Sequence, residues 1–219
     1  MGNMERQKTQ LLFEYLVVSA ILIFTSFSKY KLIGMLIVIT YLGVERVLRK
    51  RTKNEIGFNI KAVFEDLKKT WLFIAIVVIV TPLISVYIGK LFVPEYYSHV
   101  LNRVSPYVDF SKADKIISQL LVLALGEEIV FRAFLQGRLS KFINPNIAII
   151  TASVVFAGVH YSPDSLQIVA LDLASVFIDS ILFGIIFART NNVVVSTIAH
   201  FLGNSFSLMV LILLNKGNL

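Results

Sequence analysis

The chain has 219 residues, of which 56% are apolar and only 16% are charged, and its mean hydropathy is +0.76. Soluble domains average about 45–50% apolar and about 25% charged residues, so this composition indicates an integral membrane protein and excludes a disordered chain or a coiled coil. The absence of cysteine excludes disulfides, thiolate zinc sites and thiol nucleophiles. The formal net charge of +7 comes mostly from residues between apolar runs, which favours membrane topology and anionic lipid headgroups over nucleic acid as its explanation.

The apolar residues fall into seven runs that approach the roughly 20 residues of a membrane-spanning helix. We therefore predict an all-α fold, a polytopic transmembrane helical bundle forming one integral membrane domain over residues 1–219. The sixth run carries two aspartates and could form one long span or two short ones, so the prediction is seven to eight spans, with no cleavable signal peptide. The runs are Leu11–Phe27, Leu32–Leu48, Trp71–Phe92, Ile116–Leu135, Asn146–His160, Leu166–Ala188 and Val193–Leu214.

The distribution of Lys and Arg predicts the orientation of the chain. With seven spans and the N-terminus inside, thirteen basic residues lie on the cytosolic side and seven outside. We therefore expect a multi-pass protein of the cell membrane with a cytosolic N-terminus. Between the second and third runs, Ile60, Val63, Phe64, Leu67 and Trp71 recur at helical spacing, which predicts an amphipathic helix over about 56–70 on the inner membrane face.

Ionisable residues within apolar runs are functional candidates because they are costly in lipid. They concentrate in the C-terminal half, so we predict that residues 1–115 are scaffold and that residues 116–214 carry the site. In the scaffold, Glu14 and Glu45 lie near run ends and are expected to reach headgroups, while His99 is expected to be solvated in an outer loop. The candidates are Glu127, Glu128 and Arg132 in the fourth run, His160 at the end of the fifth, and His200 and Asn204 in the last.

Helical geometry separates the two glutamates. Glu128 and Arg132 are four residues apart and can form an ion pair. Glu127 lies about 140° from Arg132 around the helix axis, so it points elsewhere and suits general-base chemistry on water. A Glu–Arg pair at this spacing also occurs for structural reasons alone, and an intramembrane His is often only a helix–helix hydrogen bond.

His200 and Asn204 are also four residues apart and face one direction, while His160 comes from another helix. One His can hold the water or protonate the leaving amine, and Asn204 with the other His can stabilise an oxyanion. The predicted depths agree imperfectly. Glu127 and His200 lie about 12 Å from the inner side and His160 about 20 Å, a difference that a later start of the fifth span would remove. Asp172 and Asp179 share a helix face and are assigned no catalytic role.

At these residues the chain resembles the CPBP family of intramembrane proteases, which includes CAAX prenyl proteases and bacteriocin-processing Abi proteins. The resemblance rests on three ordered motifs and covers about Ile116–Leu214. It implies an intramembrane endopeptidase in which Glu127 activates water, His160, His200 and Asn204 complete the site, and Glu128 and Arg132 support it. The motifs are Glu-Glu-x-x-x-Arg from Glu127, Phe-x-x-x-His from Phe156, and His-x-x-x-Asn from His200.

Two questions stay open at this point. The family has been described both as glutamate proteases and as metalloproteases; we favour Glu-activated water without a cofactor, because the chain lacks a His-Glu-x-x-His helix. The alternative is zinc held by His160, His200 and Glu127. Oligomeric state and substrate are not predicted, although maturation of a bacteriocin or signal peptide, or self-immunity, is favoured by analogy. Competing functions are a non-catalytic immunity or sensor-partner protein and a proton-coupled transporter.

Overall fold

The computed structural model describes residues 3–26, 28 and 30–215, and within these ranges the chain is helical and contains no strand. Each predicted apolar run forms a helix, and one short helix, α4, was not predicted. Phe27, Lys29 and Lys216, which entered the predictions of spans and charge, lie outside the described residues. The helices are α1 (Asn3–Ser26), α2 (Lys31–Leu48), α3 (Ile60–Phe92), α4 (Tyr96–Val104), α5 (113–139), α6 (Pro145–Val159), α7 (Leu166–Thr190) and α8 (Val193–Asn215).

Four of the described helical segments are long and apolar enough to cross a membrane, and α6 is a shorter apolar helix. The all-helical class is therefore confirmed, while the count of seven to eight spans stays a prediction. The sixth predicted run is one continuous helix, α7. The four segments are Lys8–Ser26, Ile60–Phe92, Leu166–Thr190 and Val193–Leu213.

The predicted amphipathic helix is the first part of α3 rather than a separate element. Val63 and Leu67 pack against a core cluster contributed by α3, α7 and α8. Ile60, Phe64 and Trp71 are exposed, so the predicted apolar set divides between two faces. The continuous helix Ile60–Phe92 explains this, because its first turns already contact the bundle.

The largest core cluster joins the α1–α2 hairpin to α5 and α6. Phe134 of α5 is fully buried, and its ring lies 5.6 Å from that of Tyr15 in α1 and 5.8 Å from that of Tyr41 in α2. Aromatic pairs at these centroid separations contribute beyond their buried area. The N-terminal hairpin is thus fixed against the back of the helix that carries Glu127 and Glu128.

Glu45 does not reach the headgroups, contrary to the sequence-based expectation. It is 4% exposed and forms ion pairs with Arg49, Arg51 and Arg138. Glu14 also pairs with Arg49, at 2.8 Å. A buried carboxylate requires paired charges, and here the guanidinium of Arg138 comes from the far end of α5, so this network joins α2 to α5.

Two segments of the described chain are π-helical. One is Ile76–Val80 in α3, and the other is Ile129–Gln136 in α5, directly after the two glutamates. α8 packs closely on the first, since a Cβ atom at Gly203 would lie 3.2 Å from the carbonyl oxygen of Val77. π-helical turns inside α-helices are frequent at functional sites.

A later start of the fifth span does not account for the mismatch in predicted depth. α6 begins at Pro145, one residue before the predicted start, so a later start is wrong. Instead, α5 continues to residue 139 through its π-helical segment, four residues beyond the predicted end.

Close packing of α7 on α5 and α6 predicts a sharp difference between two glycine substitutions. A Cβ atom at Gly184 would lie 2.9 Å from Gln136 Oε1 and 2.9 Å from Ile149 Cγ2, whereas nothing lies within 4 Å of one at Gly43. We expect Gly184→Ala to destabilise the protein by about 1–3 kcal/mol through overpacking. Gly43→Ala should be neutral or stabilising, because Ala favours helix interiors over Gly by about 0.5–1 kcal/mol.

The unfolding midpoints of both variants are measured by heating them in detergent and recording the helical circular dichroism signal. Equal midpoints for Gly184→Ala and Gly43→Ala would contradict the tight α5–α6–α7 contact.

Candidate active site

A cavity of about 420 Å³ lies within the bundle, and residues of all eight described helices, α1 to α8, line it. Four predicted site residues line it together: Glu127 from α5, His160 from the end of α6, and His200 and Asn204 from α8. The structure therefore brings together residues that are up to 77 positions apart in the sequence.

Both imidazoles are oriented by a hydrogen bond at Nδ1. In His160, Nδ1 donates to the carbonyl oxygen of Phe156 at 2.7 Å. In His200, Nδ1 donates to Oε1 of Glu128 at 3.0 Å. Since a carbonyl or carboxylate oxygen can only accept, Nδ1 carries the proton in each ring. The two Nε2 atoms are therefore the ones that face the cavity.

The Nε2 atoms of both histidines approach the carboxylate of Glu127. Its Oε1 lies 3.9 Å from Nε2 of His160, and its Oε2 lies 3.6 Å from Nε2 of His200. These separations exceed a hydrogen bond, and polar groups at such distances are commonly bridged by water. The glutamate side chain is 20% exposed, so it borders the cavity rather than the packed interior.

Glu128 and Arg132 form the predicted ion pair, with Arg132 Nε 3.3 Å from Glu128 Oε2, and neither side chain has any exposed surface. Glu127 points away from Arg132 and toward the cavity, as predicted. The sequence did not predict that Glu128 also holds His200, or that Arg132 donates to Oγ of Ser180 in α7 at 2.9 Å. A buried guanidinium with five donors needs more than one acceptor. The sequence could therefore have indicated a second acceptor for Arg132, which in the structure is Ser180.

Two phenylalanines enclose this ion pair and both imidazoles. The guanidinium carbon of Arg132 lies 5.3 Å from the ring centre of Phe156 and 5.9 Å from that of Phe183. Phe183 also stacks on His200, with ring centres 4.5 Å apart. The rings exclude water from the charged pair, which strengthens its electrostatic interaction.

His99 is buried, so the expectation of a solvated residue is wrong. It lies in α4, is 5% exposed, and places Nδ1 2.9 Å from Asp164 and Nε2 3.4 Å from Asp172. The backbone N–H of Ser165 and the ring of His99 lower the pKa of Asp164, which lies in the loop between α6 and α7. The unpredicted helix α4 thus closes one end of the cavity.

The two aspartates of α7 both line the cavity, as their shared helix face allowed. Asp172 pairs with Arg103 of α4 at 3.0 Å. Asp179 accepts a hydrogen bond from Oγ1 of Thr81 in α3 at 2.5 Å. Residues before position 116 therefore supply part of the cavity wall, which extends their predicted role as scaffold.

The set of His160, His200 and Glu127 has the donor chemistry of a catalytic zinc site, two imidazoles and one carboxylate. In the described part of the chain, no group of three or more His, Asp or Glu residues meets the geometric requirement for holding a metal ion.

The comparison with protein families agrees with the resemblance seen in the sequence. Residues 112–206 match the family model described as type II CAAX prenyl endopeptidase Rce1-like. The matched segment begins at α5, ends in α8 and includes every predicted site residue. No curated protein and no solved structure matches the chain.

The Glu128–Arg132 pair predicts strong coupling between two substitutions. Glu128→Ala and Arg132→Ala each leave one buried charge without its partner, which costs about 3–5 kcal/mol. The double variant removes both charges and should lose less stability than the sum of the single losses. Ser180→Ala removes only a hydroxyl acceptor of Arg132 and should cost less than either single change.

Thermal unfolding in one detergent gives the stability of the unchanged chain, the two single alanine variants, their double variant and Ser180→Ala. The first four of these proteins form the double-mutant cycle. Strictly additive losses would show that the two residues do not interact.

Proposed function

We propose that this chain, whose residues 112–206 match the family model of Rce1-like type II CAAX prenyl endopeptidases, is an intramembrane endopeptidase that uses water activated by Glu127. Its substrate class is a membrane-associated peptide or protein. The observation that carries this proposal is the convergence of one carboxylate and two Nε2 atoms at a cavity between apolar helices.

The first step is proton transfer from water to Glu127. A water bridging Glu127 and His200 donates one hydrogen to the carboxylate and the other to Nε2, so its lone pair faces the peptide carbonyl. As the water oxygen bonds to the carbonyl carbon, Glu127 takes its proton and the C=O bond becomes a C–O⁻ oxyanion. A general base at this position typically contributes about 100- to 10,000-fold to the rate.

The second step breaks the C–N bond. Asn204, one helical turn beyond His200, has a carboxamide that can donate to the oxyanion, and a donor of this kind is worth about 100- to 1,000-fold. His160 lies beside Glu127 and passes the proton that Glu127 has taken to the leaving amine. The products are a new carboxyl terminus and a new amino terminus, and Glu127 is again ionised.

Glu128 and Arg132 act through His200 and touch no reacting atom. Glu128 holds Nδ1 of His200, which directs Nε2 at Glu127. Arg132 keeps Glu128 ionised in the buried interior and is itself held by Ser180. They are positioning residues.

Zinc is the alternative means of activating the water. His160, His200 and Glu127 would hold the ion, which would supply a Lewis acid and lower the pKa of its bound water. We favour the metal-free route because the three groups come from three separate helices, and because a carboxylate with an imidazole suffices to orient and deprotonate water. By analogy only, the biological substrate is a bacteriocin or signal peptide in maturation or self-immunity rather than a prenylated protein.

Glu127→Gln should abolish cleavage of a susceptible peptide while leaving expression, insertion and helicity unchanged. Glutamine keeps the shape and hydrogen bonding of the side chain but cannot take a proton from water, so the rate should fall by about 100-fold or more. Glu65→Gln, on the exposed start of α3, is the matched control and should cleave normally. Activity above about a tenth of that of the unchanged chain would exclude Glu127 as the base.

Treatment with a strong chelator should leave cleavage intact, and elemental analysis should find well under one zinc per chain. A zinc site would behave differently, because removing the ion would silence the enzyme and adding zinc would restore it. Stoichiometric zinc that is lost in His160→Ala, together with chelator-sensitive cleavage, would overturn the metal-free route.

A further inference from the structure

One face of α7 forms a polar wall of the cavity. Asp172, Ser175, Asp179 and Phe183 follow one another at intervals of three or four residues and all line the cavity. Residues at this spacing share a helix face. The wall therefore leads from Asp172 at the α4 end to Phe183, whose ring stacks on His200.

Asp179, which is partly exposed and lines the cavity, differs in its partners from the buried carboxylates of the bundle. Glu45, Glu128 and Asp172 each lie within ion-pair distance of at least one arginine. Asp179 receives one hydrogen bond at Oδ1 from Thr81, and no Lys, Arg or His in the described residues lies within 4.0 Å of its carboxylate. An ionisable group inside a membrane bundle is costly without a counter-charge, so a cation that enters the cavity would be stabilised beside this carboxylate.

The charges at the α4 end of the cavity do not supply this counter-charge. Asp172 pairs with Arg103 and lies 3.4 Å from Nε2 of His99. Nδ1 of His99 lies 2.9 Å from Asp164. Asp179 lies about 10 Å further along α7 from Asp172, seven residues at the α-helical rise. In the described residues, no Lys, Arg or His therefore lies within 4.0 Å of Asp179 to compete with an incoming cation, and His200 acts on its charge only from further away.

The separation along α7 between Asp179 and Phe183, which stacks on His200, fits the reach of a peptide substrate. Asp179 is four residues before Phe183, which corresponds to about 6 Å along the helix. An extended peptide advances about 3.3 Å per residue. A substrate whose scissile bond faces the water between Glu127 and His200 therefore brings a group one or two residues away beside Asp179.

We propose that Asp179 binds a cationic nitrogen of the substrate within about two residues of the scissile bond. The nitrogen is a Lys or Arg side chain or a free amino terminus, and Asp179 is thus a specificity-determining residue. The inference rests on the proposed peptidase function, since it places the peptide relative to Glu127. An acidic substrate residue at the same position would set two carboxylates together and be rejected.

Binding to catalytically silent protein tests this proposal separately from cleavage. The probes are fluorescent octapeptides of Ala and Leu with blocked ends, in which one Lys is moved from position to position, beside an all-neutral peptide and one with a free amino terminus. They are titrated against Glu127→Gln protein in detergent. We expect at least one cationic peptide to bind about 10-fold or more tightly than the neutral peptide. This difference is a modest fraction of the affinity that is lost when one partner of a buried charge pair is removed.

The decisive variant is Glu127→Gln combined with Asp179→Asn. Asparagine keeps an oxygen acceptor for Thr81 and removes only the charge, so folding should be preserved while the preference for the cationic peptide is lost. Asp114→Asn, at an exposed position of α5, removes the same charge elsewhere and should keep the preference. The peptide that binds most tightly identifies the source of the cation. That source is either a Lys side chain at a particular position or the free amino terminus.

Two results would overturn the role of Asp179: equal binding of all peptides by Glu127→Gln protein, or an unchanged cationic preference after Asp179→Asn. Neither bears on whether Glu127 is the base. Conversely, cleavage that persists in Glu127→Gln would overturn the proposed mechanism without changing the measured preference for a cation.

Discussion

Arg132 has no exposed surface, and the need to compensate its charge organises the C-terminal half of the protein. A guanidinium inside a bundle of apolar helices requires a counter-ion and hydrogen-bond acceptors. Glu128, one turn earlier in α5, supplies the charge, and Ser180 in α7 supplies an acceptor. Because the second oxygen of Glu128 accepts from His200 in α8, three helices are held in fixed relation by one buried charge.

This network determines where the neighbouring glutamate points. Glu127 and Glu128 are consecutive, so their side chains leave α5 about 100° apart. Once Glu128 faces Arg132 and His200, Glu127 faces the cavity, where the Nε2 atoms of both histidines approach it. Two identical side chains thus have different environments: Glu128 is fully buried and paired, and Glu127 borders the cavity.

Local spacing was sufficient to predict much of this arrangement. The seven apolar runs, the Glu128–Arg132 pair and the separate direction of Glu127 follow from helical periodicity within one segment. The contacts of Glu128 with His200 and of Asp179 with Thr81 join residues 72 and 98 positions apart, and no local pattern encodes them. His99 was misjudged because α4 has only nine residues and shows no long apolar run. Glu45 was misjudged because its partner Arg138 is 93 positions away.

In the proposed mechanism, water attacks the peptide bond directly and Glu127 is its base. The most direct measurement is cleavage of a defined peptide in water enriched in oxygen-18, with and without hydroxylamine, followed by mass spectrometry of the products. Direct attack predicts one labelled oxygen in the new carboxyl terminus and no hydroxamate product. A hydroxamate formed at the cleavage site would reveal an acyl-enzyme intermediate and contradict the account, since Glu127 would then not deliver water to the substrate itself.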